Sequence, residues 1–99
     1  MEFVKDGVLY NTETSTKIGR PIQHRDPDDF NEKVYGVYKT LYLSPQNKRY
    51  YLLFTRGRWL FSHPIDVEVL SNDKAFRWAA YYLSADAVKK HFSDTISEG

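Results

Sequence analysis

Val34-Tyr35-Gly36-Val37-Tyr38-Lys39-Thr40-Leu41-Tyr42-Leu43, then Ser44-Pro45-Gln46-Asn47, then Arg49-Tyr50-Tyr51-Leu52-Leu53-Phe54-Thr55, is the stretch whose reading decides the fold. The outer runs are β-branched and aromatic, which suits a pleated, half-buried surface, and the segment between them has turn composition. Folded back as an antiparallel hairpin, the runs sort their side chains onto two faces. One face receives Tyr35, Val37, Leu41, Leu43, Tyr50, Leu52 and Phe54; the other receives Tyr38, Thr40, Tyr42, Arg49, Tyr51, Leu53 and Thr55. A slip of two residues in register leaves this partition intact, because strand side chains alternate with period two. The first face is expected to be the core and the second the solvent side. Lys39 fits the core face badly, which implies a bulge or an edge position. Leu53 is a weaker misfit on the second face.

Downstream, Arg56-Gly57 is a plausible two-residue turn into Arg58-Trp59-Leu60-Phe61, which would set Trp59 and Phe61 opposite Phe54 and Leu52, with Pro64 ending that strand. Ile65-Asp66-Val67-Glu68-Val69 alternates cleanly as an amphipathic strand. Ser71 is placed to cap a helix over 72–83, in which Phe76, Ala79, Ala80 and Leu83 share a face; Ser84 is placed to cap a second helix with Ala85, Val88 and Phe92 on one side. Lys89, Lys90 and His91 near its end suit the helix dipole. Upstream, Phe3-Val4 and Val8-Leu9-Tyr10 around Lys5-Asp6-Gly7 read as a hairpin, because Asp-Gly supplies the positive φ of a tight turn. Residues 11–16 have turn chemistry. Residues 17–25 form a weaker strand broken at Gly19-Arg20-Pro21, where Pro21 suits an edge, and Asp26-Pro27-Asp28-Asp29 marks a loop. The expected architecture is α+β: an antiparallel meander of about four to six strands with two C-terminal helices packed on one face. The expected limits are a single domain over 1–93 and a flexible tail over 94–99.

The chain has 99 residues, a net charge of +1 and no cysteine, with 41% hydrophobic and 16% aromatic residues. One modest core is affordable at this length, and disorder is not expected. The missing cysteines exclude disulfides, thiolate zinc sites and cysteine nucleophiles. Neither a signal peptide nor a membrane span is legible, so a cytoplasmic location in a host cell is expected.

The checklist of catalytic parts stays unfilled, and the chain is expected to be neither an enzyme nor a cofactor or metal protein. His24, His63 and His91 are scattered, with no ligand spacing between them. Asp26, Asp28, Asp29 and Glu32 lack the turn glycine and terminal acid of a calcium loop. Ser44, Ser71 and Ser84 are explained by turns and caps, and Asp66 and Glu68 by the solvent side of an amphipathic strand.

Charge is segregated. Residues 33–65 contain no Asp or Glu, yet carry Lys33, Lys39, Lys48, Arg49, Arg56 and Arg58 among tyrosines and other aromatics. Sheets that bind single-stranded nucleic acid stack bases on such aromatics, at about 1–3 kcal/mol per base. Tyr and Arg are also enriched at protein interfaces. The candidate binding residues are therefore Tyr38, Tyr42, Lys48, Arg49, Tyr51, Arg56 and Arg58. The near-neutral net charge favours a protein or ribonucleoprotein partner over bulk coating of DNA. Direct single-stranded nucleic-acid binding is the alternative, and no membrane partner is expected.

Leu9-Tyr10-Asn11-Thr12-Glu13-Thr14, Lys39-Thr40-Leu41-Tyr42 with Arg49-Tyr50-Tyr51-Leu52, and Val69-Leu70-Ser71 leading to Ala75-Phe76-Arg77-Trp78 and Leu83-Ser84-Ala85-Asp86 follow one another in an order that resembles a group of small, mostly uncharacterised proteins encoded by bacteriophages and mobile elements. The segment after Phe54 departs from the group, which tends to be richer in glycine there. The resemblance carries over no catalytic residue. It implies a context: a small accessory protein that binds a host complex, in a setting where inhibitors of host defence, anti-CRISPR proteins among them, are common.

Overall fold

A computed structural model describes residues 1–24, 37–45, 48–57 and 63–95. The strands are β1 (Glu2–Lys5), β2 (Val8–Asn11), β3 (Thr16–His24), β4 (Val37–Ser44), β5 (Arg49–Arg56) and β6 (His63–Leu70), followed by helices α1 (Asn72–Tyr82) and α2 (Ala85–Phe92). Strands β3 to β6 form a four-stranded antiparallel sheet in sequence order, and β1 and β2 pair only with each other. The chain is thus an α+β fold with its two helices at the C-terminal end. The loop at Asp26–Asp29, Tyr35, the strand expected over 58–61, and tail residues 96–99 lie outside the described residues.

The central hairpin has the register that the alternation demands. Leu41 faces Leu52 and Leu43 faces Tyr50 on one side of the sheet; Tyr42 faces Tyr51 and Thr40 faces Leu53 on the other. The first side packs against the helices. Ile18, Leu41, Leu52 and Leu70 meet Ala75 and Ala79 of α1 and Val88 and Phe92 of α2, with the Tyr50 and Phe92 rings stacked 5.2 Å apart. Ser71 and Ser84 cap the helices, each accepting a backbone N–H three residues on. The buried stripe of α1 is Ala75 and Ala79, one turn apart; Ala80, expected inside, is exposed, as is Ala85 in α2. Each helix rests on the sheet through a narrow stripe, and these two alanines lie beyond its edge.

Lys39 needs no bulge in its own strand. It lies opposite Phe54 with its Nζ over the ring, 4.8 Å from the centroid, so the charge sits on the π face. The bulge is in β3, where the register jumps between Ile18, opposite Leu41, and Ile22, opposite Lys39. Gly19 sits in that irregularity at φ +74°, close under Leu83. β3 is an outer strand, so Pro21 leaves no interior donor position empty.

Two expectations fail downstream of β5. Its next partner is β6, with Leu52 opposite Glu68 and Phe54 opposite Asp66, so the places expected for Trp59 and Phe61 are taken. Pro64 belongs to β6, near its start, where Thr55 is its partner and the register shifts beside it. A proline is tolerated there because β6 is the other outer strand.

The second face of the sheet is also covered. The β1–β2 hairpin turns at Asp6 (φ 53°) and Gly7 (φ 78°), a two-residue loop of primed type. It lays Phe3, Val8 and Tyr10 over Tyr51, Leu53 and Val67. Leu53 is no misfit: it belongs to this second, smaller core. An isolated two-stranded hairpin is marginal in water, so its apolar side must find a surface. The hairpin is also tied to the edge of the sheet. The Lys5 ammonium donates to the Val67 carbonyl and to the Asp66 carboxylate, and the Val67 N–H donates to the same carboxylate at 2.7 Å. Both Val67 backbone groups are thereby occupied, which discourages another strand from adding to β6 at that point.

Candidate binding surface

The structure divides the seven residues singled out by sequence. Tyr51 cannot present a ring to a ligand. It has no exposed surface; its ring stacks with Tyr42 at 5.4 Å and tilts against Tyr10 at 4.9 Å, and its hydroxyl donates to Ser15 Oγ at 2.7 Å. Burial pushes its pKa up, against a smaller lowering by the Ser15 hydrogen bond. Its expected role as a stacking residue is corrected: the face is a packed layer because the N-terminal hairpin needs it. Tyr42 is half-buried, with its pKa also raised by burial, and one side of its ring is occupied by Tyr51. Tyr38 is half-buried in the row formed with Gln23 of β3 and Thr55 of β5.

The basic members do not form one patch. Lys48 and Arg49 are exposed at the start of β5, Lys48 in the left-handed region at φ 48°. Arg56 is exposed at the other end of β5, about 23 Å away at the usual strand rise. Arg49 pairs with Ser44 on the hairpin side of the sheet, whereas Arg56 pairs with Val37 on the helix side. Arg58 lies outside the described residues. Among the described residues the ion pairs are Lys5–Asp66 and Arg77–Asp73, so Lys48, Arg49 and Arg56 carry charge that no described acid neutralises.

Sequence reasoning missed Lys17. It is exposed in β3, directly opposite Tyr42 and on the same face. Only strand register reveals this neighbour, because the two residues lie far apart along the chain. Also missed was an aromatic cluster on α1: Tyr82 lies 5.0 Å from Trp78 and 4.7 Å from Tyr81, and Tyr81 is 80% exposed. Beside it is a cleft of about 460 Å³ lined by Gly19, Arg20, Tyr82, Leu83, Ser84 and Ala87. The Ser84 hydroxyl there already caps α2, and the lining contains no base beside a nucleophile.

Among the described residues no group of three or more His, Asp or Glu side chains is placed to hold a metal ion. His63 is exposed, while His91 is half-buried, with its pKa lowered by burial and then by Lys90. No helix of the described residues is long and apolar enough to cross a membrane. Comparisons with protein-family models, curated proteins and solved structures give no match for this chain.

Proposed function

We propose that this chain is a non-enzymatic binding protein that docks onto a macromolecular complex of a host cell through exposed cationic side chains. One observation carries the reading. Lys48 and Arg49 stand exposed and without an ion-pair partner among the described residues, while Tyr51, one of the three tyrosines expected to stack, is consumed by the core. A surface that offers charge but little free aromatic face suits an acidic partner better than splayed bases, whose recognition rests on stacking. The resemblance to bacteriophage and mobile-element proteins directs the choice of partner: a host defence complex guided by nucleic acid, with the chain acting as its inhibitor in the manner of an anti-CRISPR protein.

Direct binding of single-stranded nucleic acid is the second reading, favoured by the absence of acids across residues 33–65. A pull-down with tagged protein from bacterial host lysate, with and without nuclease, separates the two. The first reading expects a protein partner that survives nuclease and is lost with Arg49→Ala. It is overturned if nuclease abolishes capture and the purified protein alone retains labelled oligonucleotides at moderate salt, where phosphate contacts weaken steeply.

A further inference from the structure

We infer that Lys17, Tyr42 and Arg49 form one contact surface, on the hairpin side of the sheet, for an acidic segment of a protein partner. Three strands bring the residues together. Lys17 of β3 pairs with Tyr42 of β4, and Arg49 of β5 pairs with Ser44, two residues along β4 on the same side. Strand spacing and rise put the Lys17 and Arg49 Cα atoms about 12 Å apart, with Tyr42 between them. Both cations are exposed, and neither has an ion-pair partner among the described residues. Lys48 adds a third exposed charge beside Arg49.

Tyr42 distinguishes this surface from scattered solvated lysines. Its ring is fixed by stacking on Tyr51, itself locked by Tyr10 and by Ser15, so the two cations flank a rigid amphipathic platform. Rigid tyrosines beside cations are the composition of interface anchors. The ring meets Tyr51 on one face and is half-buried, so this surface offers at most one ring face where successive bases would need several. That geometry selects carboxylates with an apolar spacer over a nucleic-acid strand. The β1–β2 hairpin covers the adjoining Tyr51, Leu53 and Val67, so the contact is confined to Lys17 of β3, Tyr42 of β4 and Arg49 at the first position of β5.

The proposal rests on the reading of the chain as a binding protein, and the two fail separately. Failure to capture any partner from host lysate sinks that reading; the surface is tested with purified protein. The probe is a 15N-labelled sample titrated at low salt with a peptide of about fifteen residues alternating Glu with Leu or Ala, and in parallel with oligothymidylate of similar charge. The expected result is that the peptide shifts the amide signals of Lys17, Tyr42 and Arg49 and leaves those around Arg56 still. Lys17→Ala and Arg49→Ala should each weaken it about two- to fivefold, as exposed pairs do, while Lys17→Arg and Arg56→Ala leave it unchanged. The inference is overturned if the peptide does not bind, if Arg56→Ala weakens binding as much as Lys17→Ala, or if oligothymidylate binds this surface more tightly than the peptide.

Discussion

Tyr51 gives the sharpest test of the fold, because opposite consequences follow from its two possible places. On an open sheet face it would be a ligand contact, and its removal would change stability by less than about 0.5 kcal/mol. In the structure it is fully buried, touches Tyr10 and Tyr42, and hydrogen-bonds Ser15. Tyr51→Ala should therefore cost about 3–5 kcal/mol, the range for large aromatic truncations in cores. That is a large part of the 5–15 kcal/mol or so that stabilises a domain. Tyr51→Phe keeps the ring and removes only the hydroxyl. Ser15 Oγ loses a donor but still donates to the Asn11 carbonyl at 2.7 Å, so no buried group is stranded. The cost should then be that of one hydrogen bond, about 1 kcal/mol, or about 4–8 °C in Tm for a chain of this size. Urea unfolding followed by circular dichroism measures both. If Tyr51→Ala unfolds at the wild-type urea midpoint, the second core does not exist and the packing of the β1–β2 hairpin onto the sheet is refuted.

Gly19 and Gly7 both have positive φ, but an added Cβ at Gly19 would come within 2.7 Å of Leu83 while at Gly7 it would meet nothing within 4 Å. Gly7→Ala should cost about 1 kcal/mol from backbone strain alone, and Gly19→Ala measurably more; equal losses in thermal unfolding would discard the Leu83 contact. The Asp66 carboxyl is held below its ordinary range, first by the Val67 N–H and then by Lys5. Its folded pKa is depressed, so the stabilisation it gives is present above the unfolded pKa and lost as pH falls through the folded one. In an NMR titration its midpoint should lie below that of an unstructured aspartate, and Lys5→Ala should raise it only part of the way, since the backbone donor remains; a full return to the ordinary value would show that Lys5 alone sets it. Ser71→Ala and Ser84→Ala should each lower stability by about 1 kcal/mol, additively within error because they cap different helices, as read from urea midpoints; no loss in either would contradict the N-caps.

Much of this molecule was legible in its sequence, where local chemistry and period two or 3.6 decide the outcome. The partition of β4 and β5 into two faces, the Asp6-Gly7 turn, the edge position of Pro21 and the serine caps all follow from interactions within a few residues of each other. The pairing of β5 with β6 was not legible, because Trp59 and Phe61 offered an apolar strand nearer in sequence, and Pro64 read as a terminator although an outer strand accommodates it. The helices met the expected face, but which of Ala75 and Ala80 turned inward depended on how α1 crosses the sheet. The candidate site depended most on tertiary structure. Sequence shows that Tyr42 and Tyr51 share a face, and it shows Leu53 there as an oddity, yet period two cannot say what lies above that face. The answer came from a hairpin some forty residues earlier, whose own apolar side, Phe3, Val8 and Tyr10, had no other surface to bury against. Burying it removed Tyr51 from the candidate site and left exposed Lys17 and Arg49 beside the half-buried Tyr42; neither result is encoded in any local pattern, because each depends on which distant segment covers the sheet.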